Sequence, residues 1–113
     1  MPFIDAKISM PVSDEKKEIL KNALGQFSAS IGKSEQWTMI GIDDNYDLWF
    51  SGNKMEKAAY VTVSLYGSAA SDSYNKMTGQ ICSLLEDVLG IPADNIYISY
   101  HPVHDWGWNG ENF

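Results

Sequence analysis

Apolar and polar residues alternate near the amino terminus and then change to a helical spacing. Residues 3–8 (Phe-Ile-Asp-Ala-Lys-Ile) have the pattern of a short β-strand, which the Met10-Pro11 step ends. Residues 13–15 (Ser-Asp-Glu) are typical of a helix start, because a serine oxygen accepts hydrogen bonds from free backbone amides and carboxylates suit the positive helix end. An apolar face follows at helical spacing: Leu20, Leu24, Phe27 and Ile31.

The end of this helix and the next strand complete a first β-α-β unit. Gly32 stands where a left-handed residue is expected to end the helix. Residues 37–42 (Trp-Thr-Met-Ile-Gly-Ile) then have the composition of a second strand.

A second unit with the same order follows the turn-rich residues 43–53. Residues 59–66 predict a strand, and residues 71–73 (Ser-Asp-Ser) predict the start of another helix, which Gly90 ends. Residues 95–100 predict a fourth strand. The apolar face of the second helix is expected to consist of Met77, Ile81, Leu84, Leu85 and Val88.

Two tandem β-α-β units predict one α/β (α+β) domain over residues 1–113. Each connecting helix is long enough to place its two strands parallel, so we expect a four-stranded sheet with both helices on one face. The other face has no predicted cover. In the strand over residues 59–66, Tyr60, Thr62 and Ser64 alternate with Val61, Val63 and Leu65, so both faces of the sheet carry side chains that need burial or a partner. Association of several copies through the bare face is the simplest solution.

Charge and composition exclude several classes of protein. The chain has 113 residues, is 44% hydrophobic and 20% charged, and has no low-complexity run, which favours a globular domain over a disordered one. Its formal net charge is −7, and its basic residues are scattered lysines without any arginine, so nucleic acid and anionic membranes are poor partners. A lysine in a pocket of such an acidic chain, Lys33 above all, would be a distinctive anion-binding group.

Cysteine and histidine usage argues against disulfide and metal chemistry. Cys82 is the single cysteine, which excludes an internal disulfide and is expected to be a buried apolar residue. His101 and His104 have no evident third ligand, so we expect exposed histidines and no metal or cofactor. The start of the chain lacks the basic and apolar blocks of a signal peptide, and we expect a cytoplasmic location or secretion by a non-classical route.

Four motifs in order resemble the macrophage migration inhibitory factor and D-dopachrome tautomerase family over essentially the whole chain. They are residues 1–4 (Met-Pro-Phe-Ile), residues 30–33 (Ser-Ile-Gly-Lys), residues 91–100 (Ile-Pro-Ala-Asp-Asn-Ile-Tyr-Ile-Ser-Tyr) and residues 106–110 (Trp-Gly-Trp-Asn-Gly). The resemblance implies the tautomerase fold, a four-stranded mixed sheet with two helices on one face, assembled as a homotrimer. It also implies a cofactor-free keto–enol tautomerase acting on phenylpyruvate-like aromatic α-keto acids.

The family's chemistry depends on a terminal proline. The resemblance implies that Met1 is removed, so that Pro2 presents a secondary amine with a lone pair in a rigid ring, which serves as the catalytic acid and base. A prolyl amine is free at neutral pH when apolar surroundings and a nearby cation lower its pKa, and Lys33 is the implied cation. Lys33 and the backbone amide of Tyr66 are the implied partners of the substrate carboxylate. The residues expected to form the remaining pocket are Phe3, Trp37, Leu65, Tyr66, Tyr97, Ser99, Trp106, Trp108 and Phe113, with Tyr97 and Ser99 coming from a neighbouring subunit.

Several positions differ from the family's pattern. Ala58 and Val61 replace a CxxC pair, which removes any thiol–disulfide activity. Ser99 replaces an asparagine, Tyr66 an isoleucine and Trp37 a tyrosine, so the substrate can differ. The dehalogenase and decarboxylase branches of the wider superfamily use arginines around the proline, and this chain has none.

Other interpretations of these residues stay open at the level of sequence. Pro2 can simply mark methionine removal, and Lys33 can be a solvated lysine at a helix end. Tyr97 can be a cross-strand aromatic residue, and Trp106 and Trp108 can seal a subunit interface. The alternative function is that of a cytokine-like protein acting through a receptor, and a third possibility is a structural trimer with a vestigial site.

Overall fold

The computed structural model describes residues 1–113 as a four-stranded sheet with two long helices on one face. The sheet has the order β2-β1-β5-β6. In chain order the elements are β1 (Pro2–Ile8), α1 (Asp14–Phe27), β2 (Met39–Asp43), β3 (Trp49–Phe50), β4 (Asn53–Lys54), β5 (Ala59–Tyr66), α2 (Ser71–Leu89), β6 (Ile96–Val103), β7 (Gly107–Trp108) and β8 (Glu111–Asn112). Strands β3 and β4 form one short hairpin, and β7 and β8 form another at the carboxyl end.

The pairing confirms the two tandem units and the mixed sheet. Strand β1 runs parallel to β2, and β5 runs parallel to β6, as expected when a helix connects each pair. The two units join through β1 and β5, which are antiparallel and place Pro2 opposite Leu65. This central pair brings the amino terminus of the chain to the carboxyl end of β5.

The core lies between the sheet and the helices. Alternate β1 residues point to the helices, and Ile4, Ala6 and Ile8 are fully buried. Leu20 of α1 and Met77 of α2 meet them from the other side without any exposed surface. Burying one such side chain contributes about 1.5–3 kcal/mol relative to leaving it in water, which explains why the helical and strand periodicities predict the fold.

The first helix ends earlier than the apolar spacing predicts. The α-helix stops at Phe27 and continues as a 3-10 turn over Ser28–Ile31. Gly32 then closes it with the expected left-handed backbone, at φ 71°. The backbone amide of Lys33 donates to the carbonyl of Ser28 across 3.0 Å, so the tight turn satisfies the carbonyl groups of the helix end.

The second strand starts two residues later than predicted. Ser34 caps a 3-10 turn over Glu35–Trp37, its hydroxyl accepting from the amide of Gln36 across 3.2 Å. The prediction of a strand from Trp37 was therefore wrong at its start, because local serine capping competes with strand pairing. The fourth strand, by contrast, extends to Val103.

The remaining features concern the surface. No helix lies over the sheet face away from α1 and α2, and side chains such as those of Asp5 and Thr62 on it are half-buried. Cys82 is half-buried rather than buried, because it lies at the edge of the α2 core face, and His101 and His104 are exposed. No helix has both the length and the apolar character needed to cross a membrane.

Candidate active site

Pro2 is the first residue of β1, and its side chain is less than 2% exposed. It lines a cavity of about 370 Å³ at the end of the sheet where β1 begins and β5 ends. The residues around the cavity are mostly apolar: Met1, Pro2, Phe3, Gln36, Trp37, Thr38, Met39, Trp106, Gly107 and Trp108. A group attached to the Pro2 nitrogen would therefore lie in poorly hydrated surroundings.

Lys33 is carried to the same end of the sheet by the turn that closes the first helix. Its ammonium group donates a hydrogen bond to the carbonyl oxygen of Tyr66, with an Nζ to O distance of 3.0 Å. Tyr66 is the last residue of β5, and Leu65 beside it pairs with Pro2. The lysine is half-buried and no carboxylate lies within 4.0 Å of it, so its charge is not neutralised inside the chain.

Met1 occupies the space between these groups. The backbone amide of Tyr66 donates to the Met1 carbonyl oxygen across 3.2 Å. Burial, and then the nearby charge of Lys33, lower the pKa of the Met1 amino group. The Met1 carbonyl therefore shows where an acceptor oxygen, such as that of a carboxylate, can sit beside the amide donor and the lysine.

Aromatic rings lie in and beside the cavity: three tryptophan rings line it, and the rings of Tyr66 and Phe113 adjoin them. Trp37 meets Trp108 edge to face, with ring centroids 5.2 Å apart. Phe113 lies 5.4 Å from the ring of Tyr66 and stacks near Trp108 at 6.3 Å. Trp106 is half-buried and also lines the cavity. These rings offer flat apolar surfaces of the kind that an aromatic ligand requires.

Most of the site residues expected from the sequence come together at this end of the sheet. Pro2, Phe3, Trp37, Trp106 and Trp108 line the cavity itself. Lys33, Tyr66 and Phe113 lie next to it through the contacts given above. Leu65 lies beside Pro2, but its own side chain is fully buried in the core, so it can support the cavity without touching a ligand.

Tyr97 and Ser99 do not reach this cavity within one chain. Through β5, Tyr97 aligns with Lys7 and Ser99 with Asp5, which lie about 16 and 10 Å along β1 from Pro2 at roughly 3.3 Å per residue. Tyr97 is 64% exposed and packs against Phe50 at 5.2 Å. The hydroxyl of Ser99 shares hydrogen bonds of 2.7 Å with Tyr60 and His101.

Three side chains at the cavity were not expected from the sequence. Gln36, Thr38 and Met39 line it because the 3-10 turn before β2 lies against the amino terminus. The hydroxyl of Thr38 is engaged with Ser28 at 2.8 Å and with the carbonyl of Ser34 at 2.9 Å. The Ser34-Glu35-Gln36 capping pattern was the available signal, but the sequence prediction assigned no element to residues 34–36 and began the strand at Trp37.

The structure contains no cluster of metal-binding side chains. No three side chains of His, Cys, Asp or Glu lie close enough together to hold a metal ion. The ionisable groups at the cavity are the amino terminus and Lys33, and both are cationic when protonated. The arrangement suits binding of an anion next to an apolar ring, with an amine as the proton-transfer group.

Comparisons with known proteins agree with the fold. Residues 1–113 match the family described as Macrophage migration inhibitory factor (MIF). The macrophage migration inhibitory factor of Meriones unguiculatus is 28% identical, and the match covers 100% of this chain and 99% of that protein. The crystal structure of Leishmania major MIF2 superposes with a TM-score of 0.92 at 34% identity, covering 100% of this chain and 97% of that one. The homologue from Prochlorococcus marinus gives 0.88 at 31% identity, with 98% of each chain covered. This chain is a member of the macrophage migration inhibitory factor family.

Proposed function

We propose that the protein is a cofactor-free keto–enol tautomerase of aromatic α-keto acids such as phenylpyruvate, with the amine of Pro2 as its acid and base once Met1 is removed. One observation carries the proposal. The Tyr66 amide holds an acceptor oxygen, the Lys33 ammonium is hydrogen-bonded to the Tyr66 carbonyl, and Tyr66 directly follows the residue that pairs with Pro2, which lines an apolar cavity. An anion-binding pair beside an amine and an aromatic wall fits an aromatic α-keto acid.

The amine of Pro2 has the surroundings of a base that is active near neutral pH. Apolar burial and the charge of Lys33 already lower the pKa of the Met1 amino group. The same two influences act on the Pro2 nitrogen after processing, because both disfavour its protonated form. An amine with a pKa near the working pH can both accept and return a proton efficiently.

The reaction needs two proton transfers at one nitrogen. In the keto-to-enol direction the Pro2 lone pair takes a proton from the carbon next to the carbonyl, and the C–H electrons form the new C=C bond. The carbonyl π electrons move to oxygen, which then receives the proton from the prolyl ammonium. Lys33 and the Tyr66 amide hold the carboxylate, and their positive ends stabilise the negative charge that develops on the enolate.

We further propose that three copies assemble through the uncovered sheet face. The exposed Tyr97, together with Ser99, lies too far from Pro2 in one chain to take part in its site, so each would serve the cavity of a neighbour. Light scattering at micromolar concentration should return the mass of three chains of 12.6 kDa each. A stable monomer would remove the need for a shared site and contradict the assembly.

The experiment that tests the activity is the enol-to-keto conversion of phenylpyruvate by the processed chain. Pro2→Gly provides the comparison, because it leaves a primary amine that is less basic and less rigidly placed. We expect rapid conversion by the parent chain and a rate reduced by roughly tenfold to a thousandfold in the variant, which is less than the roughly hundredfold to ten-thousandfold contribution of a complete acid–base group because an amine remains. Equal rates would show that the cavity does not use its amino terminus.

A further inference from the structure

The carboxyl-terminal hairpin closes one side of the cavity from the outside. Residues 107–113, called the tail hairpin below, contain β7, β8 and a tight turn with left-handed backbone at Asn109 (φ 53°) and Gly110 (φ 86°). Gly107 and Trp108 of the tail hairpin line the cavity. Every residue of the tail hairpin is nevertheless exposed, which is unusual for a wall of a binding site.

No side-chain hydrogen bond or ion pair connects the tail hairpin to the body of the protein. Its strands β7 and β8 pair with each other, and the amide of Phe113 donates to the carbonyl of Trp106, the residue just before the tail hairpin, across 3.0 Å. Two ring contacts connect it to the body, Trp37 with Trp108 and Tyr66 with Phe113. A segment with few buried contacts belongs to the least stable part of a structure, so these rings decide where it lies.

The contact between the rings of Tyr66 and Phe113 links the tail hairpin to the position beside Lys33 where an anion can bind. The backbone of Tyr66 provides the amide donor used by Met1 and the carbonyl that holds Lys33, while its ring meets Phe113. Phe113 in turn stacks near Trp108, with the ring planes at 18°. Losing the Tyr66 ring would free the last residue and weaken the support of Trp108 over the cavity.

We propose that Tyr66 is a positioning residue whose ring holds the tail hairpin closed over the cavity through Phe113. The body of the protein thereby controls access to the site with a contact that can break and re-form as ligands enter and leave. An aliphatic residue at position 66 would keep the backbone amide donor and the carbonyl acceptor but lose the ring contact. The part of this proposal that concerns substrate rests on the proposed tautomerase function; the part that concerns the position of the tail hairpin does not.

The test measures backbone order of residues 107–113 by nitrogen-15 relaxation in the processed, full-length protein. The variants are Tyr66→Ile, Phe113→Ala and the double variant, with Tyr66→Phe as the conservative replacement. Tyr60→Ile is the matched control, because Tyr60 lies on the same face of the same strand and does not contact the tail hairpin. Light scattering and the dispersion of the remaining amide signals show whether each variant keeps its fold and assembly.

We expect order parameters of about 0.85 for the tail hairpin of the parent chain, of Tyr66→Phe and of Tyr60→Ile. Tyr66→Ile and Phe113→Ala should each lower them below about 0.6, and the double variant should fall no further. A tail hairpin that stays ordered in both single variants would overturn the proposal. So would equal loss of order in Tyr66→Phe, since that result would assign the role to the hydroxyl group.

A second measurement connects the tail hairpin to ligand binding. Phenylacetate, an unreactive aromatic carboxylate, should raise the order of the tail hairpin in Tyr66→Ile, and its dissociation from that variant should be about tenfold faster than from the parent chain. Unchanged dissociation in a variant with a disordered tail hairpin would refute control of access. Failure of the tautomerase proposal would give a different result: the backbone order of the tail hairpin would still depend on Tyr66, but phenylpyruvate would not be converted.

Discussion

The backbone amide of Tyr66 donates a hydrogen bond to the carbonyl oxygen of Met1 across 3.2 Å. This contact places the first peptide group of the chain where the proposed mechanism places a substrate carboxylate. A chain that keeps Met1 has therefore filled its own acceptor position and converted the Pro2 nitrogen into an amide. Removal of Met1 would free the amide donor of Tyr66 and convert the Pro2 nitrogen into a basic amine.

Replacing Lys33 by alanine is expected to weaken the binding of carboxylate substrates. A hydrogen bond to a charged group is worth about 1.5–3 kcal/mol, so the KM for phenylpyruvate should rise roughly tenfold to a hundredfold, with a smaller change in kcat. The methyl ester of the substrate lacks the carboxylate charge, so its KM should be almost the same in Lys33→Ala as in the parent chain. Lys21→Ala is the control, because Lys21 lies on the exposed side of α1 beside Glu18. Equal losses for acid and ester would show that Lys33 acts on Pro2 instead.

The pH dependence of kcat/KM should rise through one ionisation of the free enzyme, that of the prolyl ammonium. Burial and Lys33 lower the pKa of the amino terminus in the Met1-bearing chain. The unprotonated amine is the active base, so activity is lost as the pH falls through the pKa of Pro2. Removing the Lys33 charge favours the ammonium form, and the profile of Lys33→Ala should move to higher pH. A profile that moved to lower pH would contradict the assigned role of the lysine charge.

Two glycine substitutions are expected to have opposite effects on stability. Gly32 has φ 71°, so an alanine there is strained and should lower the free energy of unfolding by about 1 kcal/mol. Gly79 lies in α2 with nothing within 4 Å of an added Cβ, so Gly79→Ala should raise the free energy of unfolding by about 0.5–1 kcal/mol. Urea unfolding monitored by tryptophan fluorescence measures both free energies.

Gly32→Ala should also raise the KM for phenylpyruvate, because the turn at Gly32 carries Lys33 to the cavity. A folded variant with an unchanged KM would show that this turn does not determine the position of Lys33.

Periodicity was sufficient to predict the sheet and the helices, since burial of regularly spaced apolar residues governs both, and the glycine at position 32 was sufficient to predict the left-handed turn that ends the first helix. Periodicity was not sufficient at residues 34–37, where side-chain capping by Ser34 forms a 3-10 turn and delays the strand to Met39. Gln36 at the cavity was missed for that reason. The contact of Tyr66 with Phe113 joins residues far apart in the chain, and no local pattern records such a meeting.

The most direct test compares one preparation of the protein before and after removal of Met1, with mass spectrometry to verify the processing. The Met1-bearing chain has an amide at Pro2 and its own carbonyl on the Tyr66 amide, so it should be folded but without measurable tautomerase activity above background. Treatment with methionine aminopeptidase should restore phenylpyruvate conversion in proportion to the fraction processed. Full activity in the Met1-bearing chain, or none after complete processing, would contradict Pro2 as the acid and base.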